Sequence, residues 1–422
     1  MRFSQEVAPG DGETKSATFR SYRTVDFIGQ YDPAVKTVFD ILAHSAKNYP
    51  MHALHGKRVG DTFEWKTYEE VFEEVRAFGS GLLAMEAMVP DVTGEMKLLG
   101  LMGRNHSHWT IAEYACLGWS GTTVPFYDSL SAETLYYLID NCGLATVACD
   151  EPSAKKLIEA KKMGAATLKT LIVYATGKEA LDALVKLGAE ANVKVVDFDE
   201  VKQKGAEKLM LFDPPSPSTI YSFVFTSGST GKFPKAALIT HAAAVANVST
   251  IIYEFNDTPN FELKRGEEVH LSYLPCGHAM ERCCDQLIMA LGGRIGYSDG
   301  IREKVMEEIA LLRPTMFVTV PRILNRLHDK IMSTALSAGG LKTAIFTAAL
   351  EAKKKGVDQG YLCHPVYDPL VFNPIKKKLG LDRCTRVITG SAPISAEVLM
   401  FFRAVFASKL ECFCVRNEPS SD

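Results

Sequence analysis

The segment that decides the fold is residues 220–235, which read IYSFVFTSGSTGKFPK. Five of its first six residues, IYSFVF, are apolar or aromatic, and such a run is typical of a buried strand. The strand leads into a loop with four hydroxyl side chains, two glycines and two lysines. Glycines let backbone N–H groups approach an anion, hydroxyls donate to phosphate oxygens, and lysine supplies the compensating charge. The segment therefore predicts a phosphate-binding loop rather than a plain Gly/Ser turn.

The P-loop of nucleoside triphosphatases, G-x-x-x-x-G-K-[ST], is the obvious alternative for this loop. Two positions disagree with it. Thr226 stands where the first glycine belongs, and Phe233 stands where a Ser or Thr would bind magnesium. We therefore predict a phosphate loop of another kind and keep a P-loop phosphotransferase only as a weaker hypothesis.

Helical periodicity alternates with short apolar runs along most of the chain. A helix is predicted over residues 67–83, where Thr67 and Glu70 have the spacing of a capping box, and another over 131–141, capped by Ser131. Strands alternating with helices of this length predict parallel sheets covered by helices, an α/β fold. The predicted strands are residues 98–102, 122–126, 145–149, 220–225, 269–274, 316–320 and 387–389.

Four units are predicted along the chain. Residues 1–30 are polar and read as an irregular tail, and residues 31–212 form a first α/β subdomain. Residues 213–406 form a second one that contains the phosphate loop, and residues 407–422 are an unusual tail. The division between the subdomains rests on the turn-rich sequence DPPSPS at residues 213–218.

Composition limits the classes of function. The 422 residues are 47% hydrophobic and 23% charged, as in ordinary globular proteins. The net charge of −3 argues against a general nucleic-acid binder. The ten cysteines lack zinc-finger spacing, which favours a reduced intracellular protein. No run approaches the ~20 apolar residues of a membrane span, while attachment to a membrane surface stays open.

The loop from Thr226 to Lys235 resembles the ATP-phosphate loop of the acyl-adenylate-forming enzymes, whose pattern is roughly T-S-G-[ST]-T-G-x-P-K-G. These enzymes include acyl-CoA synthetases, firefly luciferase and the adenylation domains of peptide synthetases. Two features depart from the pattern. Lys232 and Phe233 together fill a space that usually holds one residue, and Ala236 replaces the last glycine.

Further segments narrow the resemblance to long-chain fatty acyl-CoA synthetases. Residues 272–282, SYLPCGHAMER, contain His278 and resemble that group's S-Y-L-P-L-A-H-x-x-E-R. Residues 313–326 resemble R-P-T-x-x-x-x-V-P-R-x-x-N-R, and residues 389–395, TGSAPIS, resemble its glycine-rich turn. The resemblance extends from about residue 36 to residue 406.

The resemblance implies the two helix-covered α/β subdomains of an adenylate-forming N-terminal domain. It implies an acid–thiol ligase that converts ATP and a fatty acid to acyl-AMP and pyrophosphate, after which coenzyme A displaces AMP. His278 would lie beside the reacting carboxylate and α-phosphate, and Thr226 would contact Mg²⁺. The implied nucleotide- and substrate-binding residues are Thr226, Ser227, Gly228, Ser229, Thr230, Gly231, Lys235, Gly390, Ser391, Ala392 and Pro393.

The sequence departs from the family pattern after residue 406. The family continues with a short strand and Y-G-x-T-E, whereas residues 407–422 read ASKLECFCVRNEPSSD. We therefore expect a C-terminally truncated enzyme without the small C-terminal domain, weakly active or inactive. A catalytically dead remnant that binds nucleotide or acyl chain, or offers only a partner surface, is the alternative. The expected location is the cytoplasm or the cytosolic face of the endoplasmic reticulum or another organelle; the oligomeric state stays open.

Overall fold

The computed structural model describes residues 4–12, 17–21, 28–226, 233–256, 262–301, 303–390, 392–406 and 409–413. Within these ranges the chain folds as the predicted mixture of parallel sheets and helices. The strands are β1 (Ser4–Ala8), β2 (Thr18–Ser21), β3 (Ala53–Val59), β4 (Thr62–Thr67), β5 (Val89–Pro90), β6 (Lys97–Met102), β7 (Gly121–Phe126), β8 (Thr146–Asp150), β9 (Thr170–Tyr174), β10 (Lys194–Asp197), β11 (Ile220–Thr226), β12 (Lys235–Thr240), β13 (Val269–Ser272), β14 (Arg294–Tyr297), β15 (Met316–Thr319), β16 (Arg386–Gly390) and β17 (Lys409–Phe413).

Helices connect most of these strands. They are α1 (Val38–Asn48), α2 (Tyr68–Ala84), α3 (Ser107–Leu117), α4 (Ala132–Cys142), α5 (Glu151–Met163), α6 (Lys178–Glu190), α7 (Phe198–Ala206), α8 (His241–Asn256), α9 (Ala279–Ala290), α10 (Val305–Leu312), α11 (Pro321–Ser337), α12 (Gly340–Asp358), α13 (Asn373–Lys378) and α14 (Ala396–Phe406), with a π-helical turn at Asp368–Phe372.

The predicted helix caps are confirmed. Thr67 Oγ1 accepts the Glu70 N–H at 3.2 Å, and Glu70 Oε2 accepts the Thr67 N–H at 2.7 Å, which completes a capping box at the start of α2. Ser131 caps α4, and Gly143 ends it with a φ of 70°, the left-handed conformation that glycine adopts without strain.

An eight-stranded sheet forms one side of the molecule. Its order is β10-β9-β8-β6-β7-β11-β12, with the short β5 paired to β6. Every pair from β10 to β11 is parallel, and only the edge strand β12 is antiparallel on this path. β6 and β7 are buried almost throughout, which explains the apolar sequence of β6, whereas Thr122 and Thr123 of β7 donate their hydroxyls to carbonyl oxygens of β11.

The sheets do not divide where the linker at residues 213–218 predicts. β11 and β12 follow this linker, yet β11 pairs with β7 of the preceding part of the chain. Conversely, the hairpin of β3 and β4 completes a four-stranded sheet of order β13-β14-β3-β4. A turn-rich linker indicates only that the chain leaves one layer. Strand pairing over a hundred or more residues decides the sheet that the chain then joins.

Both predicted tails contain strands within the described residues. β1 and β2 form an antiparallel pair in the segment expected to be irregular. β17 lies in the segment expected to be an unusual tail, and it extends the sheet β15-β16-β17 in parallel with β16. Strand pairing uses backbone groups, so short polar or mixed sequences can pair without giving a clear period-two signal.

α3 and α9 lie in the interior of the molecule. Side chains from both helices share one core cluster with residues of α1, α2 and α8. α3 is buried on all sides from Trp109 to Leu117, so its sequence shows little amphipathic periodicity. Glu113 is a buried carboxylate in this otherwise largely apolar helix. A charge in such a position requires partners, and these lie in the candidate site.

Candidate active site

The ends of the predicted phosphate loop face each other across the edge of the eight-stranded sheet. Thr226 ends β11, Lys235 begins β12, and the two residues are directly paired in the antiparallel ladder. The Thr226 hydroxyl donates to the Lys235 carbonyl oxygen at 3.4 Å, and both residues are exposed. The other predicted loop residues and one residue of the glycine-rich turn lie outside the described residues: Ser227, Gly228, Ser229, Thr230, Gly231 and Ser391.

Phe233 fixes the returning arm of this loop. Its ring stacks on Tyr137 of α4, with ring centroids 3.9 Å apart and an interplanar angle of 12°. Phe233 is one of the two residues that replace a single position of the family pattern. The extra residue therefore has an aromatic partner on a neighbouring helix, while Lys235 keeps its place opposite Thr226.

His278 caps the N-terminus of α9. Its Nδ1 accepts the Met280 N–H at 3.1 Å, so the neutral ring carries its proton on Nε2 and can donate there. The ring lies 6.3 Å from that of Tyr127 in an edge-on arrangement. Burial lowers the pKa of His278, and the positive charge of Arg282 lowers it further, whereas Glu281 acts in the opposite direction. His278 is therefore a neutral hydrogen-bond donor near pH 7.

Close backbone packing brings His278 to the strand ends that carry Thr226. A Cβ built on Gly277 would lie 2.8 Å from the Phe126 carbonyl oxygen, so only glycine fits there without displacement. The Phe126 ring in turn stacks on Phe225, with centroids 5.6 Å apart and an interplanar angle of 12°. Phe225 immediately precedes Thr226, so two of the predicted site residues are linked by a short path of contacts.

The predicted adenine-side residues belong to another sheet. Gly390 is buried at the end of β16, in the three-stranded sheet, and Ala392 and Pro393 follow it as exposed residues. Thr226 and Lys235 belong to the eight-stranded sheet. The roles assigned to Gly390, Ala392 and Pro393 stay predictions.

A buried acid–histidine group anchors α9 to β13. Glu281 Oε1 accepts the Tyr273 N–H at 3.0 Å and lies 3.2 Å from His270 Nε2. Asp285 accepts a hydrogen bond from the Ser272 hydroxyl at 3.2 Å, and burial followed by the Glu281 charge raises its pKa well above the usual range. Donor atoms of His270, Glu281 and Asp285 lie within 4.8 Å of one another, close enough to hold a metal ion. One hydrogen bond, between His270 and Glu281, lies within this group, and the bonds to Ser272 and Tyr273 tie α9 to β13 and the residue after it.

Asn105 is not among the site residues predicted from the sequence, although it belongs to the segment that resembles the family. Its side-chain amide donates to Ser272 Oγ at 2.9 Å and to the Leu274 carbonyl at 2.6 Å. Its side-chain oxygen accepts the Cys276 N–H at 3.3 Å. Asn105 therefore shapes the loop that leads from β13 to His278. The available signal was its place just after β6, where polar residues often line a site in α/β sheets.

A cavity of about 510 Å³ lies beside Asn105, at the carboxyl ends of β6, β8 and β9. Arg104 Nε lies 3.4 Å from Asp150 Oδ2 at its wall. His106 and His108 also line it, and burial lowers their pKa values to about 4 and about 3. A lining of charged and imidazole groups suits polar molecules and is unfavourable for a long hydrocarbon chain.

None of the helices that the structure describes has both the length and the apolar character needed to cross a membrane.

Comparison with known proteins identifies the family. Residues 42–413 match the family described as AMP-binding enzyme. The peroxisomal long chain acyl-CoA synthetase 6 of Arabidopsis thaliana is 30% identical over 385 residues, covering 90% of this chain and 52% of that protein. The long-chain-fatty-acid–CoA ligase 5 of Rattus norvegicus is 32% identical over 389 residues, covering 90% and 54%. The chain thus spans about half the length of the curated relatives it matches.

Solved structures with the same fold include adenylation domains of two carboxylic acid reductases. The adenylation domain of a carboxylate reductase from Mycobacterium chelonae has a TM-score of 0.72 at 17% identity, covering 93% of this chain and 60% of that one. A carboxylic acid reductase domain from Segniliparus rugosus, solved with AMP and a co-purified carboxylic acid, has a TM-score of 0.71 at 18% identity and covers 93% and 63%. At these identities the likeness shows the fold.

Proposed function

Because this chain belongs to the AMP-binding enzyme family, we propose that it activates a long-chain fatty acid with ATP. The carboxylate attacks the α-phosphate, and acyl-AMP and pyrophosphate form. In the whole protein, coenzyme A then displaces AMP and gives the thioester. The observation that most supports this proposal is the link between Thr226 and His278 through Phe225, Phe126 and Gly277. It relates Thr226, where the predicted phosphate loop begins, to the candidate catalytic histidine.

The loop residues would bind the triphosphate. Exposed Lys235 adds positive charge near the leaving pyrophosphate, and the glycines at 228 and 231 allow backbone N–H groups to approach. Magnesium is held mainly by phosphate oxygens and water in such sites, so the Thr226 hydroxyl would be one contact among several. When bound, the metal neutralises phosphate charge. The loop residues would orient the triphosphate of ATP for in-line displacement at the α-phosphate.

His278 would donate a hydrogen bond to the reacting groups. Its lowered pKa keeps the ring neutral near pH 7, and Nδ1 is engaged with the Met280 N–H, so Nε2–H is the donor. Such a donor stabilises negative charge that develops on an oxygen in the transition state. It does so without transferring its own proton.

The proposed substrate class, a long-chain fatty acid, rests on the relatives. Relatives from Arabidopsis thaliana and Rattus norvegicus named as long-chain acyl-CoA synthetases or ligases support a long-chain fatty acid as the substrate. Peripheral contact with a membrane would suit such a substrate. The proposed partners are therefore fatty acid, ATP and coenzyme A.

Two measurements on the purified chain test the proposal. Calorimetry measures ATP binding, and a coupled assay measures pyrophosphate release with ATP, Mg²⁺ and palmitate. We expect ATP binding and a slow release of pyrophosphate that depends on palmitate, because the sequence predicts at most a weakly active chain. ATP binding without palmitate-dependent release would favour a nucleotide-binding protein over an enzyme. Absence of both in a folded chain would overturn the proposal.

A further inference from the structure

We propose that five buried polar side chains hold the helix that carries His278 in register with the strand that leads to the predicted phosphate loop. We call them the register network; they are Glu113, Tyr221, Ser222, Arg282 and Gln286. They would act as positioning residues, and their catalytic meaning rests on the proposed function. They come from three elements, α3, β11 and α9.

Arg282 lies at the centre of the register network. Its Nη1 donates to Ser222 Oγ at 2.8 Å and lies 3.2 Å from Tyr221 Oη and 3.3 Å from Glu113 Oε1. The Tyr221 hydroxyl donates to Glu113 Oε1 at 2.6 Å and accepts from Gln286 Nε2 at 2.7 Å. None of the five residues is more than 4% exposed. The network is therefore dry, and its hydrogen bonds do not compete with bulk water.

The network fixes the position of α9 along its own axis. His278 is the N-cap of α9 and precedes Arg282 by four residues, about 6 Å along the axis. Ser222 precedes Thr226 by four residues of strand, about 13 Å. Because Arg282 is bonded to the beginning of β11, sliding α9 along the strand would move His278 relative to Thr226. Three partners at one guanidinium oppose that sliding.

Stability alone does not account for these charges. Arg282 and Glu113 form a buried ion pair, and the cost of removing both groups from water usually cancels most of their attraction. Apolar residues of similar volume would often give equal stability at such a place. Directional bonds, in contrast, select one register out of several that an apolar contact would permit. We therefore assign the network to positioning.

The charge of Arg282 also acts on His278, and this gives a readout that packing does not. Among the described residues, the titratable groups facing His278 are Glu281 and Arg282 on its own helix and Tyr127 beyond the end of β7. Removing the Arg282 charge takes away a contribution that lowers the His278 pKa. The pKa should therefore rise.

The test compares three variants of the full chain. R282M/E113Q removes both charges together, because R282M alone would leave a buried carboxylate without its partner. R282K keeps the charge but lacks the planar fork that reaches several partners. K353M/D368N is the control, since it removes another buried pair, with Lys353 Nζ 2.8 Å from Asp368 Oδ1, in α12 and the turn after it. NMR of histidine-labelled protein gives the His278 pKa, and pyrophosphate release gives the rate.

We expect R282M/E113Q to raise the His278 pKa and to slow palmitate-dependent release about 10²-fold, the usual effect of a 1 Å misplacement. R282K should keep the His278 pKa and lose at least 10-fold in rate, and K353M/D368N should change neither the pKa nor the rate.

A folded R282M/E113Q with an unchanged His278 pKa and rate would overturn the inference. If the double variant does not fold, a wild-type rate in R282K overturns it. If the wild-type chain releases no pyrophosphate, the proposed function fails separately. In that case, an unchanged His278 pKa in the double variant refutes the network. If the double variant also fails to fold, the network is refuted by a crystal structure of R282K in which residue 282 has changed its hydrogen-bond partners and His278 has kept its position.

Discussion

Replacing Gly277 by alanine tests how closely the turn before α9 must approach β7. The added Cβ would lie 2.8 Å from the Phe126 carbonyl oxygen, 3.1 Å from its carbon and 3.2 Å from the Tyr127 nitrogen. These are backbone atoms of a paired strand, so they cannot rotate away as the end of a flexible side chain can. The turn must instead move outward by roughly 0.6 Å to regain ordinary contact at 3.4 Å.

That displacement should affect the rate more than the stability. Overpacking of this kind typically costs about 1–3 kcal/mol. His278 follows Gly277 directly, and a misplacement near 1 Å can slow a reaction about 10²-fold, so we expect a loss of roughly 10–100-fold.

The assay is palmitate-dependent pyrophosphate release, with thermal unfolding measured on the same samples. Gly177→Ala is the matched control, because a Cβ there meets no atom within 4 Å and its φ of −81° suits alanine. The reasoning is refuted if Gly277→Ala releases pyrophosphate at the wild-type rate, or if Gly177→Ala loses as much activity.

Three further predictions concern single side chains. His278→Ala should slow pyrophosphate release by about 10²-fold with little change in melting temperature, whereas His328→Ala on α11 should leave the rate unchanged. Equal effects of the two substitutions on the rate would assign His278 to the core. Gly228→Val should abolish ATP binding in calorimetry while circular dichroism stays unchanged, because a branched side chain blocks backbone approach to phosphate; retained affinity would exclude the loop. Burial lowers the pKa of His108 from 6.5 to about 3, so the unfolded chain binds a proton first and the folded state loses stability as the pH decreases below 6.5. His108→Gln should therefore flatten the dependence of the free energy of unfolding on pH between pH 7 and pH 5, measured with urea. An unaltered pH dependence would contradict this.

The elements with local signals could be predicted from the sequence. The start of α2 depends on two residues three apart, Thr67 and Glu70, whose side chains and backbones bond each other. The end of α4 depends on Gly143 alone, because glycine adopts positive φ at little cost. The apolar run of β6 follows from its burial on both faces. All these causes lie within a few residues of the effect.

The strand order and most of the site could not be predicted in this way. The pairing of β11 with β7 joins Ser222 to Thr123, and nothing in the intervening linker records it. Glu113 and Arg282 are 169 residues apart, and the sequence around either one does not identify the other as its partner. The lone carboxylate within the apolar sequence of α3 was a usable signal that a partner exists. Its identity required the fold.

The position of His278 results from constraints on both sides of α9. Glu281 and Asp285, one turn apart, bond to His270 and Ser272 of β13. Arg282 and Gln286, also one turn apart, bond to residues of β11. Each pair repeats at four residues, so the two pairs form adjacent stripes along the helix, one directed to each sheet.

Gly277 adds a third constraint, because the turn before the helix lies against the backbone of β7. A residue at a helix N-terminus would otherwise take part in the fraying of that end. Here the polar stripes begin within one turn of His278, so the N-terminus of α9 is bonded to both sheets in addition to its apolar packing. This arrangement gives a side chain at a strand–helix turn the fixed geometry that a hydrogen-bond donor to a reacting group requires.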